Sequence, residues 1–220
     1  NCVILGKEIV YKENHMKKRV FACVLLTLSF YIFTACGEKN EFVAQGMKSV
    51  ESNQYTEAIA SFEMAMEKGE DLRLVYRGLG ISYMGLARYD EAIESFLLSL
   101  DNSSGVPDSM DYDVNYYLAA AYYKNGQMKE SESTYDAIID LDSRDAIAYE
   151  LRGKVRLEMG RYEEAMEDFD RAIELEPKDY DMLLEIYSVL DKEGYAEAGK
   201  GYLDTALEEG KKSMTDTQKG

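Results

Sequence analysis

The side chains best suited to covalent, acid–base or zinc chemistry are few in this 220-residue chain and sit at one end. Its three cysteines, Cys2, Cys23 and Cys36, and its single histidine, His15, all fall within the first 36 positions. The remainder can form no disulfide, offers no thiol nucleophile and supplies no thiolate or imidazole to a metal. Carboxylates are abundant instead, with 42 Asp and Glu against 25 Lys and Arg and a formal charge of −17. Five of those bases (Lys7, Lys12, Lys17, Lys18, Arg19) and only two acids (Glu8, Glu13) precede Cys36, which leaves 20 bases against 40 acids from there on, a net of −20. A glycosidase needs only two carboxylates at a suitable separation, but so many acids supply such pairs by chance. The chain shows no nucleophile–base set, phosphate-cradling loop or metal constellation. No enzymatic activity and no cofactor are expected. So acidic a body repels nucleic-acid phosphate, which argues against a nucleic-acid partner.

One acidic stretch, residues 101–111, invites a calcium reading, because hard cations favour clustered carboxylates. Val106 stands where the turn glycine of a calcium loop belongs. A solvated, mobile loop is the expectation, and no metal.

The leader has its own logic. Residues 1–15 read as an over-extended start or an artefact, with Met16 as the better beginning. The basic run Lys17-Lys18-Arg19 is followed by an apolar block, Val20 to Phe33, broken only by Thr27 and Ser29. Basic region, apolar region and small residues at a cut site make a secretory signal over residues 16–35. The block is short for a spanning helix, which needs about 20 apolar residues. The tetrad Phe33-Thr34-Ala35-Cys36 resembles the lipobox of bacterial lipoproteins, where a signal peptidase cuts before a cysteine that carries diacylglycerol on sulfur. Thr34 and Ala35 fit that pattern, and Phe33 departs from its usual aliphatic residue. The resemblance implies lipidation at Cys36 and an extracytoplasmic, membrane-anchored lipoprotein at the cell envelope; an uncleaved anchor is the alternative. Residues 36–41 form a tether. Its five residues after Cys36 reach no more than roughly 17 Å, which holds the body close to the membrane.

What positions everything else is a repeating helical pattern, so internal repeats come before any single residue. A small residue, an aromatic and a second small residue recur at Ala58–Phe62–Ala65, Ala92–Phe96–Ser99 and Ala165–Phe169–Ala172. Each follows a tyrosine, Tyr55, Tyr89 and Tyr162, and the acids of the helix that begins at Tyr162 are expected to face water. Twelve positions before Ala58, Ala92, Ser131 and Ala165 stand the small residues Gly46, Gly80, Ala119 and Gly153, with Tyr187 in that place in a fifth unit. Seven residues further on, Asn53, Ala87, Gly126, Gly160 and Gly194 mark turns that end a helix. The units fall at 39–72, 73–106, 112–145, 146–179 and 180–213, within a body spanning 42–213, and a polar tail covers 214–220. This pattern resembles the tetratricopeptide repeat. The second unit carries the signature best, with Tyr76, Leu79, Gly80, Tyr83, Tyr89, Ala92 and Phe96. The resemblance implies an all-α, right-handed solenoid of about five helix-turn-helix repeats. No pair buries its apolar face alone, so stacking supplies the core. The two prolines, Pro107 and Pro177, lie between units and break no helix.

In that family the first helices of successive pairs line a concave groove for peptides. The resemblance therefore implies Val43 and Met47, then Arg77, Ile81 and Met84, then Tyr116, Ala120 and Tyr123, then Glu150, Lys154 and Leu157 as groove positions. Arg77, Ile81, Met84, Tyr116, Tyr123 and Lys154 are the candidate peptide contacts, against the alternative that they are solvent-facing or inter-repeat residues. The two-lysine, two-asparagine clamp that grips a chaperone's C-terminal carboxylate in some members is absent. Glycines at 199 and 201 weaken the last helix, and that end is expected either to fray or to be covered by a second copy. The resulting expectation is a lipid-anchored scaffold for protein–protein interactions at the bacterial cell envelope, with an envelope glycan- or solute-binding lipoprotein as the alternative.

Overall fold

Helices shorter than about 12–15 residues are marginal in water on their own, so those of this chain depend on the apolar stripes they share. The structure is a computed structural model that describes residues 40–217. Among the described residues are ten α-helices and no strand: α1 (Glu41–Glu51), α2 (Tyr55–Glu67), α3 (Leu72–Gly85), α4 (Tyr89–Asp101), α5 (Ser109–Lys124), α6 (Met128–Leu141), α7 (Ala146–Glu158), α8 (Tyr162–Leu175), α9 (Tyr180–Lys192) and α10 (Ala196–Thr217). The architecture is the expected all-α solenoid. The start at 1–15, the signal at 16–35 and Cys36 lie outside the described residues.

Consecutive helices pack on each other, and α5 also touches α3 as α9 touches α7. These are first helices of neighbouring pairs. Their starts are alike too. Asp71, Asp108, Asp145 and Asp179 each precede a first helix and accept hydrogen bonds from its opening amides, satisfying donors that have no partner within the helix. In α1 the amides of Phe42 and Val43 donate instead to the Glu70 carboxylate, at 3.0 and 2.9 Å.

The turns inside the pairs follow one geometry. Asn53, Ala87, Gly126, Gly160 and Gly194 have φ of 57°, 56°, 77°, 77° and 88°. The residue after each donates its amide five positions back, as in Arg88 to Tyr83 and Tyr195 to Leu190 at 2.9 and 2.7 Å. That bond closes the end of the first helix. At Ala87 a side chain occupies backbone space that favours glycine.

Close packing within and between pairs centres on phenylalanine rings set against glycines. A Cβ on Gly46 would lie 2.6 Å from the Phe62 ring, and one on Gly78, in the next pair, 2.2 Å from it. Phe62 is therefore inserted between two first helices with no room for a methyl on either side. Gly80 faces Phe96 and Gly153 faces Phe169 in the same way. The small residues twelve positions ahead are thus matched chiefly to the ring, four residues beyond the small residue they were paired with.

Two expectations need correction. The 101–111 stretch is not merely solvated: the Arg73 guanidinium donates to Asp108 at 2.7 Å and to Asp111 at 2.7 Å, and the Ser103 hydroxyl donates to Asp111 at 2.9 Å. The Arg73 bond holds the Asp108 carboxyl well below its usual range. Among the described residues no group of ligating side chains could hold a metal ion; these carboxylates already have partners.

The second correction concerns α8, whose acids all read as facing water. Asp168 is only 3% exposed. It accepts from Arg152 at 2.6 and 3.0 Å and from Arg156 at 2.9 Å, and Arg152 also reaches Asp136 at 2.6 Å. Burial of a carboxylate is tolerated because both guanidinium forks converge on it.

At the far end α10 runs to Thr217, past the unit boundary at 213 and into the stretch read as tail. Ala206 is buried, and Tyr202 donates its hydroxyl to Asp170 of α8 at 2.8 Å. No helix among the described residues is long and apolar enough to cross a membrane.

Candidate functional site

Helices α5, α6 and α7 line an open cavity of about 450 Å³. α5 contributes Asp113, Tyr116, Tyr117, Ala120, Tyr123 and Lys124, α6 contributes Tyr135, and α7 contributes Leu151, Lys154 and Val155. The sequence places aromatics here at helical spacing: Tyr112, Tyr116 and Tyr123 recur at four and seven positions on one side of α5.

Acids at the two ends of α7 fix the ring positions. Asp145, the cap of α7, accepts the hydroxyls of Tyr112 and Tyr116, the latter at 2.6 Å. Tyr116 also meets the Tyr112 and Tyr135 rings edge-on at 5.6 and 6.2 Å, a favoured aromatic geometry. Tyr123 donates its hydroxyl to Glu158. Burial and then these carboxylate bonds push both phenols up from their ordinary range, so neither ionises near neutrality. Tyr117 stacks on Phe96 at 5.7 Å between centroids.

Charge is distributed unevenly around this wall. Arg77 donates to Asp113 at 2.7 Å and lies over the Tyr117 ring at 5.9 Å. Lys124 and Lys154 place their ammonium groups over the single ring of Tyr123, at 5.8 and 5.4 Å. Next to Lys154 on α7, Glu150 is 6% exposed. Burial, then the charge of Glu185 on α9, push its carboxyl up to about 7.

The six candidate contacts divide into three groups. Tyr116, Tyr123 and Lys154 line the cavity together. Arg77 stands beside it, joined to a lining residue by its ion pair with Asp113. Ile81 and Met84 lie away from it, half-buried against the core cluster around Phe96 and Leu118. The reading missed Tyr117, Leu151, Val155 and the contribution of α6 through Tyr135. A signal existed in the third unit, which replaces the glycine–phenylalanine pair with Ala119 and Tyr135. The cavity opens where that pairing is broken.

A helical-pair solenoid with such a face is the architecture of repeat proteins that present binding surfaces. Residues 43–107, 78–146 and 146–179 match the tetratricopeptide repeat, together covering 43–179, more than half of the chain. This chain belongs to the tetratricopeptide repeat family. It is 28% identical over 116 residues to human (Homo sapiens) RNA polymerase II-associated protein 3, a match covering 53% of this chain and 17% of that protein. It is 25% identical over 162 residues to outer envelope protein 61 of Arabidopsis thaliana, covering 70% and 27%. The chain thus spans less than a third of the length of these curated relatives. Among solved structures it is similar to MamA, with a TM-score of 0.62 at 21% identity over 77% of this chain and 96% of that one. MamA from Desulfovibrio magneticus RS-1 gives 0.63 at 18% identity over 78% and 95%. YrrB, described as a TPR protein with an unusual peptide-binding site, gives 0.58 at 21% identity over 78% and 86%. These structural likenesses bear on the fold alone. Tetratricopeptide repeats are generally non-enzymatic scaffolds that bind proteins or peptides, and no catalytic family is indicated.

Proposed function

We propose that this protein is a lipid-anchored scaffold that gathers protein partners at the bacterial cell envelope, using the face built by α3, α5 and α7. The observation that carries the reading is the tyrosine-walled cavity on that face, held open by Asp145 and Glu158 rather than filled by side chains. Tyrosine rings supply contact area at low entropic cost. The peptide site described for YrrB is consistent with the same use of the fold. The anchor and the address rest on the basic run, the apolar block and Thr34-Ala35-Cys36. Stable anchoring needs more than one acyl chain, which a lipidated Cys36 would provide.

The test has two parts. Affinity capture from envelope extracts with the Tyr116→Ala/Lys154→Ala double variant should lose the partners that the parent retains while the helical circular dichroism is kept; unchanged capture refutes the groove. Metabolic labelling with a palmitate analogue should mark the protein and fail with Cys36→Ser. Self-association through the C-terminal repeat belongs to the same proposal: a monomer mass independent of concentration in light scattering would rule it out.

The four tyrosines of the cavity favour a second reading, a glycan- or solute-binding lipoprotein of the envelope. Two of their hydroxyls are already donated to protein carboxylates, which ranks it below the first. Signals on a glycan array without any captured protein would reverse that order.

A further inference from the structure

The cavity's polar groups can be accounted for one by one. The Tyr116 and Tyr123 hydroxyls donate their hydrogen bonds to Asp145 and Glu158. Asp113 is occupied by Arg77. Among the described residues, the lining polar side chains left without a hydrogen-bond partner are the Tyr117 and Tyr135 hydroxyls and the Lys124 and Lys154 ammonium groups. All four can donate, and the two ammonium groups can only donate. These donors outnumber the free acceptors of the wall, which are the phenol lone pairs and Asp113 Oδ1, since both Arg77 bonds go to Oδ2.

Its charge points the same way. In a body of net −20 the two lysines converge on one aromatic ring and form no ion pair within the described residues. Glu150, the acid that Lys154 acts on, is buried and held near neutrality by burial and by Glu185, which makes it a weak counter-charge. The remaining wall, Ala120, Leu151, Val155 and the ring faces, is apolar. A volume of about 450 Å³ lies within the range of sites that enclose small groups.

We infer that the α5–α7 cavity is a binding site for an acidic side chain, an Asp or Glu set among apolar residues of an extended peptide, with Lys124 and Lys154 as its counter-charges. The inference rests on the reading of this face as a peptide groove and adds the chemistry that selects the partner. The carboxylate completes the donors, and the apolar flanks cover the ring faces and exclude water, which strengthens the charge pairing. Arg77 takes no direct part, because Asp113 already occupies it.

The experiment uses the detergent-solubilised full chain and N-acetylated, C-amidated heptapeptides with Glu or Gln at the centre and Ala, Leu, Phe or Ser elsewhere, read by fluorescence polarisation. Glu peptides should be retained, and each should lose affinity about tenfold on Glu→Gln, the effect of removing a charge-assisted hydrogen bond. In the Lys124→Met/Lys154→Met variant that preference should vanish while circular dichroism is unchanged. Binding that ignores the central charge overturns the inference but leaves the groove standing. Binding that requires a free C-terminal carboxylate, tested with the non-amidated Gln peptides, overturns the side-chain assignment. Retention of no peptide by the folded chain overturns both readings.

Discussion

Asp168 of α8 and Arg152 of α7 form a fork-to-fork pair, with Nη2 to Oδ1 at 2.6 Å and Nε to Oδ2 at 3.0 Å, between the two helices of the fourth unit, where the carboxylate is all but sealed from water. Removing one member of a buried pair leaves the other charge unmatched and costs about 3–5 kcal/mol. Asp168→Ala should lower the stability measured by urea unfolding by that order. Glu174→Ala, which removes an exposed partner of Arg171 on the same helix, should leave the midpoint where it was.

Ala87 occupies a left-handed turn at φ 56° where three of the other four turns use glycine. A side chain costs about 1–2 kcal/mol in that region. Ala87→Gly should therefore raise stability by about 1 kcal/mol, and Gly160→Ala should lower it by about as much. Equal signs for the two changes would show that the turns do not carry this strain.

The Gly78–Phe62 contact predicts a loss of another kind. A methyl at position 78 meets the ring at 2.2 Å, and overpacking of this sort costs about 1–3 kcal/mol. Gly78→Ala should be destabilising, and adding Phe62→Leu should recover part of the loss. Coupling of that sign in a double-mutant cycle is the check.

Glu150 gives a pH dependence. Its carboxyl titrates near 7 when folded, against about 4.5 in the unfolded chain. Between those values the folded state holds the extra proton, so this group's contribution is full below pH 4.5 and is lost as pH rises through 7. Glu150→Gln should be more stable than the parent by roughly 1–3 kcal/mol at pH 8, with that advantage shrinking by pH 5. A difference that is the same at both pH values would contradict the assignment.

The stack was legible because its determinants are local and periodic. The turn positions, the small residues and the rings recur at a fixed spacing, and sterics alone require them. The site was harder to read, because its pairs join residues about one repeat apart: Arg77 to Asp113 and Tyr123 to Glu158 are separated by 36 and 35 positions. Tyr112 to Asp145 and Asn125 to Asp90 follow the same rule at 33 and 35. A search for donors and acceptors one period apart would have found them. The family resemblance placed Ile81 and Met84 on the groove, and both lie half-buried against the cluster around Phe96 and Leu118. Helical periodicity alone turned Asp168 to solvent, because a single helix wheel does not know that two arginines lie opposite.

The pinned insertion has a practical meaning. Arg73 anchors the loop at Asp108 and Asp111, while Val106 two residues earlier is 72% exposed. Extra chain has been accommodated there without disturbing the next helix, whose start is fixed by its own cap. With every native cysteine at or before position 36, a thiol introduced at Val106 would be unique within the repeats. A dye or spin label attached there gives a reporter in the chain that leads into the unit carrying the cavity, outside its lining.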